Sequence, residues 1–259
     1  RSHFHYLAKG GNLNMMISEL YGKDTGCARG RGGSQHLLDV SSGVIASVPI
    51  VGSTIPIGVG LALGNKLKNS KKIVVIFFGE GATEEGVFFE SLNFASLHNL
   101  SILFVCENNL YSVYSPLFKR QQKKRSIIKI ANSLGIESCK IDGNDVEKVC
   151  HNAKKFISKI KKNNKPILLE FSTYRYLEHC GPNNDDNLNY RPKKELMFWK
   201  KKCPVVNYIK KLEKHKLLNN KELNYLSNKA DFEINESFNF AKSSKFPSKK
   251  VLKKHVYAE

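Results

Sequence analysis

IVVIFFGEGATEEGVFFESLNFASLHNLSILFVCENN, residues Ile73–Asn109, decides the fold of this chain. Ile73–Phe78 is an unbroken apolar run, the pattern of a strand buried on both faces of a parallel sheet. Gly79-Glu80-Gly81 follows, and Ala82–Asn99 carries Phe88, Leu92 and Ala95 at helical spacing. Glu84 and Glu85 are expected in the first turn of that helix, where they complement its dipole. Ile102–Cys106 is a second buried strand, ending at Asn108-Asn109. Strand, helix and strand in this order predict two neighbouring parallel strands joined by a right-handed crossover. One carboxylate and one amide side chain then stand beyond the carboxyl ends of those strands, where ligands bind in parallel α/β sheets.

The same alternation continues outward. Ile50–Leu67 is a Gly/Ala-rich helix with Pro56 near its start. Its small residues at Gly58–Gly64 suit close packing against a sheet or a partner subunit. Ser126–Leu134 reads as a helix and Ser138–Ile141 as a strand. Asp145–Lys162 reads as a helix capped by Asn144 or Asp145, and Pro166–Ser172 as a fourth strand. Residues 1–33 are polar and glycine-rich, ending in a loop at Cys27–Gly33. Glu178–Arg191 is an aperiodic loop. Beyond Pro192 the chain is helical and lysine-rich, including Val205–Leu218 and Lys221–Ser243. The expected architecture is α/β, one domain over residues 1–205 with a helical extension over 206–259.

The 259 residues are 41% hydrophobic and carry a formal charge of +19, a globular composition. No apolar run is long enough to span a membrane. The lysines come in scattered pairs among many asparagines, without a basic stripe interleaved with aromatics. A solvated basic surface is therefore favoured over nucleic-acid binding. Six cysteines without a CxxC pair point to free thiols in a reducing, cytoplasm-like compartment. The chain opens at Arg1 in sequence that already reads as mid-domain, which suggests a missing amino-terminal segment.

Gly79 and Gly81 allow a sharp turn and close backbone approach to a ligand. Free N–H groups at the helix start suit phosphate. Glu80 and Asn109 offer hard oxygens appropriate to Mg²⁺ carried by phosphates. The third glycine of a dinucleotide fingerprint and the GK[ST] of a P-loop are both missing. Either residue alone would be explained by a helix cap or a turn; together, with these elements between them, they indicate a metal and diphosphate pocket.

GEGATEEG followed by ENN resembles the thiamine diphosphate motif, usually GDG and then NN. RSHFHYLAKGG (Arg1–Gly11), CARGRGGSQHLLDV (Cys27–Val40), IVGSTIP (Ile50–Pro56), ENNLYSVYS (Glu107–Ser115) and TYRYLEHCGPNNDDNLNYR (Thr173–Arg191) are similar, in the same order, to segments of 2-oxo acid dehydrogenase alpha subunits. The resemblance implies a thiamine diphosphate-binding fold. It also implies oxidative decarboxylation of a pyruvate-like 2-oxo acid, with acyl transfer to a lipoyl group. By position it makes Glu80, Asn109 and the backbone carbonyl of Tyr111 ligands of Mg²⁺. Gly79, Gly81, Ala82 and Ser112 would line the diphosphate, and Val51 the aminopyrimidine. Arg1 and His3 would face the phosphates and the mouth of the site. His179, on a mobile loop, would stand beside the reacting carbon, and His3 and His179 are the catalytic candidates.

The sequence also departs from the family pattern. Glu80 replaces the usual Asp, Pro49 and Ser112 replace glycines, and Cys180 replaces a serine phosphorylated in animal pyruvate-type members. The resemblance further implies a separate beta subunit that supplies the carboxylate activating the cofactor, in an α2β2 assembly, and a lipoyl acyltransferase partner. Its setting would be the cytoplasm or an organelle matrix. Two other readings stand beside it: a transketolase-like or sugar-modifying thiamine subunit serving surface-polysaccharide synthesis, and a non-catalytic basic binding subunit.

Overall fold

The computed structural model describes residues 2–254, apart from the side chains of Leu252 and Lys253. The helices, in chain order, are α1 (Ser2–Ala8), α2 (Leu13–Leu20), α3 (Thr54–Leu67), α4 (Gly86–Leu97), α5 (Leu117–Arg120), α6 (Ile127–Ser133), α7 (Val146–Asn163), α8 (Lys193–Lys201), α9 (Pro204–Lys214) and α10 (Asn220–Ser243). The strands are β1 (Val74–Gly79), β2 (Ile102–Asn108), β3 (Tyr111–Ser112), β4 (Ser115–Pro116), β5 (Glu137–Asp142) and β6 (Ile167–Ser172). The chain divides into two compact units, residues 1–49 with 215–259, and residues 50–214. The boundary expected at residue 205 falls inside the second unit.

The second unit is a parallel sheet of order β1-β2-β6-β5 flanked by helices. Each β-to-β step passes through at least one helix, so the apolar runs of β2 and β6 are covered on both sides and buried almost throughout. β1 behaves differently from the sequence expectation. Val74, Ile76 and Phe78 are buried, but Val75 and Phe77 are each 41% exposed. As the edge strand it packs against α3 and α4 through Val74, Ile76 and Phe78. On the covered face, Gly58 of α3 lies so close to the sheet that a Cβ there would approach Ile76 Cδ1 to 2.5 Å. The opposite face of the sheet packs against Phe156 and Ile160 of α7. Asp145 caps α7 by accepting a hydrogen bond from Lys148 N at 3.0 Å.

Two corrections concern helices. Residues Glu80–Glu84 form a 3-10 turn and α4 begins only at Gly86, so Glu84 and Glu85 precede the helix. Glu85 has extended backbone, which separates the turn from the helix. The polar N-terminal segment contains α1 and α2, which the sequence reading did not separate from loop.

In the first unit, α2 packs with α10 around Tyr6, Met16, Ile17, Leu37 and Ala241. α10 starts with a capping box in which Asn219 and Glu222 exchange hydrogen bonds, satisfying two orphan amides. Glu19 is fully buried and its carboxylate accepts from Ala28 N (2.8 Å), Gly30 N (2.9 Å), Gly32 N (2.7 Å) and Gly33 N (3.1 Å). The Cys27–Gly33 loop is therefore wrapped on one anion. Among the described residues no helix is long and apolar enough to cross a membrane. All six cysteines are free.

Candidate functional site

The turn at Glu80 is built from both neighbouring strands. β1 and β2 run in register with Gly79 opposite Glu107, so Glu80 and Asn109 leave the sheet side by side. Glu80 is 1% exposed. Burial pushes its carboxyl above the usual carboxylate range, against the opposing pull of the Arg120 guanidinium and of the backbone amides of Glu80 and Asn109. Thr83 Oγ1 donates to the Glu80 carbonyl at 2.7 Å, closing the turn. Asn109 Oδ1 accepts from Tyr111 N at 2.9 Å, which leaves the second lone pair of that amide oxygen for another partner. Leu110, between them, has φ of 72°, a left-handed conformation uncommon for a non-glycine residue.

The structure brings further predicted residues to this turn. A Cβ on Gly81 would meet Ser112 Oγ at 3.0 Å and Arg120 Nη1 at 3.7 Å, so the serine that replaces a family glycine lies against Gly81. A Cβ on Gly79 would meet nothing within 4 Å. Ala82 is buried. Gly52, with φ of 84°, packs against Glu85 and Val87, which sets exposed Val51 close to the start of α4. His3 belongs to the first unit, where its Nε2 donates to the Ser34 carbonyl at 3.1 Å. Arg1 lies outside the described residues.

Sequence reasoning missed the groups that hold the turn. Arg120 Nη2 donates to Glu80 Oε1 at 2.6 Å, and its Nη1 pairs with Glu84. Gln121 Nε2 donates to Glu84 Oε1 at 2.7 Å. Arg125 donates to Thr83 Oγ1 at 3.0 Å and also to the Thr83 carbonyl. No positional pattern signals these contacts, because their partners lie far back in the chain.

Among the described residues no three His, Cys, Asp or Glu side chains cluster to hold a metal. A cation at Glu80 would therefore need amide, carbonyl and phosphate oxygens beside the single carboxylate. That donor set fits Mg²⁺, which binds through one or two carboxylates and shared phosphates. The open space at Gly79 and the buried carboxylate after it fit a diphosphate carried by that ion.

His179 is half-buried on the segment between β6 and α8. That segment is pinned at both ends. Arg191, 6% exposed, pairs with Asp185 and donates Nη1 to the Arg175 carbonyl at 2.6 Å. Arg175 Nη2 donates to Tyr190 Oη at 2.9 Å and to the Val113 carbonyl at 2.7 Å. Tyr190 donates in turn to Asp185 Oδ2 at 2.5 Å; burial and that acceptor push its pKa to about 12. Tyr111 and Tyr174 both donate to Glu195 Oε1, at 2.6 and 2.9 Å. Removing one partner of a buried ion pair leaves the other uncompensated. Arg191→Met is thus expected to make thermolysin cleavage between residues 176 and 190 several-fold faster, and an unchanged cleavage rate would show that the pair does not hold the loop.

The sequence profile of the dehydrogenase E1 component family matches residues 1–250. The chain belongs to this family. Its relatives include the pyruvate dehydrogenase E1 component subunit alpha of Rickettsia felis, 32% identical over 257 residues, 99% of this chain and 78% of the relative. The chloroplastic subunit alpha-3 of Arabidopsis thaliana is 32% identical over 265 residues, covering all of this chain and 61% of the plant protein. The mitochondrial subunit alpha of Pisum sativum is 33% identical over 263 residues, with 64% of it covered. This E1 chain is the alpha subunit of a thiamine diphosphate-dependent 2-oxo acid dehydrogenase. The likeness read from GEGATEEG and ENN is thereby placed in its family.

Proposed function

We propose that this E1 chain binds thiamine diphosphate through Mg²⁺ and catalyses decarboxylation of a pyruvate-like 2-oxo acid, with acyl transfer to a lipoyl group. The observation that carries the reading is the buried Glu80 carboxylate beside the Asn109–Tyr111 turn, at the carboxyl ends of adjacent strands. Glu80, Asn109 and the Tyr111 carbonyl would hold Mg²⁺. Gly79, Gly81, Ala82 and Ser112 would receive the diphosphate, with Val51 toward the aminopyrimidine. Bound thiamine diphosphate supplies the carbanion chemistry that lets carbon dioxide leave a 2-oxo acid. His179 would hold or release a proton at a ring nitrogen near the reacting carbon, where imidazole titrates near neutral pH. The pinned loop between Arg175 and Arg191 would orient that histidine.

The activating carboxylate is proposed to come from a beta subunit in an α2β2 assembly, serving a lipoyl acyltransferase in the cytoplasm or an organelle matrix. One face of α3 supports a helix-lined subunit contact. Ile57, Gly60, Gly64 and Leu67 recur on that face; Ile57 and Leu67 are exposed, and a Cβ on either glycine would meet nothing. Small residues there permit a second helix to approach closely.

The test is reconstitution. The chain alone should show no decarboxylation, whereas the chain co-purified with a beta subunit should couple pyruvate oxidation to acylation of a lipoyl domain. Full activity without a beta subunit, or ketol transfer in place of lipoyl acylation, would overturn the assignment.

A further inference from the structure

Glu170 is a carboxylate set into an otherwise apolar strand. Its neighbours on β6 are Ile167, Leu168, Leu169 and Phe171, and it is itself 4% exposed. Burying a charge there is costly unless it is paired and hydrogen-bonded. Two groups meet the cost. Lys140, opposite it on β5, brings Nζ to 3.1 Å of Oε1. Asn108 at the end of β2 donates Nδ2 to the same oxygen at 2.9 Å.

Asn108 connects this buried charge to the cofactor turn. It is 5% exposed, and its Oδ1 accepts from Leu110 N at 3.2 Å. Its main-chain carbonyl accepts from Thr173 N at 2.9 Å. Leu110 is the residue in left-handed backbone, with φ of 72°, a conformation that persists only where its surroundings over-determine it. Its carbonyl accepts from Leu117 N at 2.8 Å. The amide of Asn108 has one orientation that satisfies both ends, with nitrogen toward Glu170 and oxygen toward Leu110.

We infer that Glu170 is a positioning residue for the cation site: by fixing the side-chain amide of Asn108 it holds the strained Asn109-Leu110-Tyr111 turn in the conformation that presents Asn109 Oδ1 and the Tyr111 carbonyl. The inference rests on the reading of those two oxygens as Mg²⁺ ligands. Glu170 touches neither cofactor nor substrate. It acts through Asn108, as the outer partners of metal ligands commonly do, with losses of roughly 10–100-fold in metal affinity when they are removed. A carboxylate whose role was only to seal the sheet would not need its partner to be the residue next to a ligand.

The test uses the alpha–beta assembly with thiamine diphosphate and Mn²⁺ as a spectroscopic substitute for Mg²⁺. Asn108→Asp sets two carboxylates against each other and removes the donor, and Mn²⁺ affinity is expected to fall tenfold or more. Adding Glu170→Gln to it restores an amide–carboxylate pair with reversed polarity, and affinity should return to within about threefold of wild type, a rescue of the size expected when a paired outer contact is remade. Glu170→Met, which fills the space without an acceptor, provides a second arm with the same tenfold loss, should Asn108→Asp fail to fold. Lys140→Met, which keeps the Asn108 contact, should leave affinity unchanged. Wild-type affinity in Asn108→Asp or Glu170→Met, or no recovery in the double variant, overturns the positioning role while the thiamine reading stands. Failure of the wild-type assembly to bind Mn²⁺ with thiamine diphosphate overturns that reading, and the inference with it.

Discussion

Glu80→Gln is expected to lower Mg²⁺ affinity in the presence of thiamine diphosphate by roughly 100-fold or more, about 2.8 kcal/mol, with activity of the alpha–beta assembly lost accordingly. Glutamine keeps the volume of the side chain and can still accept from Arg120, so the loss reports charge. Arg120 retains Glu84 as a counter-ion. The same change should not destabilise the cofactor-free protein. The Glu80 carboxyl is held above the usual carboxylate range chiefly by burial, so the folded state holds this proton more tightly than the unfolded chain. Its contribution to stability is therefore fully present below the ordinary carboxylate value and is lost as pH rises through the raised one. Above that window the wild-type protein carries an ionised, desolvated carboxylate, and the glutamine variant does not. Melting temperature of the cofactor-free protein, followed from acid pH to neutrality, should decline less in Glu80→Gln than in wild type. Opposite movement of cation affinity and cofactor-free stability is the signature of a group placed to bind rather than to fold. Unchanged cation affinity would sink the assignment of Glu80 as a ligand.

The second large effect concerns folding. Glu19→Ala removes the acceptor of four loop amides, those of Ala28, Gly30, Gly32 and Gly33. At roughly 1–3 kcal/mol for each donor left unpaired in a buried position, the expected loss is at least about 4 kcal/mol, less whatever water entering the loop returns. Glu19→Gln should cost less, since one oxygen remains while an amide nitrogen faces two donors. The loop cannot simply close over the gap. Gly26 sits so near Glu19 that a Cβ would meet its Cα at 2.7 Å, and the glycines are spaced to bring the chain around one carboxylate. Urea midpoints give the energy, and hydrogen exchange of amides 28–33 locates it. Exchange at wild-type rates in Glu19→Ala would show that the loop does not depend on this anion.

The residues that carried the sequence reading were those with local signatures. The β1–α4–β2 order was legible because apolar runs, helical spacing and glycine punctuation are written in contiguous residues. The cap of α7 was legible to within Asn144 or Asp145, because a capping side chain serves an amide about three residues on, and the structure selects Asp145. α1 and α2 were not legible, because they are short and lie in a polar, glycine-rich segment that reads as loop. The 3-10 turn before α4 was missed for a related reason: Glu84 and Glu85 suit a helix start by charge, and only the extended backbone at Glu85 moves that start to Gly86.

The sequence alone determined the parallel strands, the carboxylate and amide at their ends and, through its likeness to a family, the cofactor to expect. Those features depend on residue type and short spacing, which the linear order states directly. Tertiary structure alone decided which partners hold the carboxylate and the amide. Arg120 reaches Glu80 across 40 positions and Asn108 reaches Glu170 across 62, separations at which no periodicity survives. It decided too that β1 is an edge strand with Val75 and Phe77 exposed, since burial is set by which neighbour lies alongside and not by the strand's own residues.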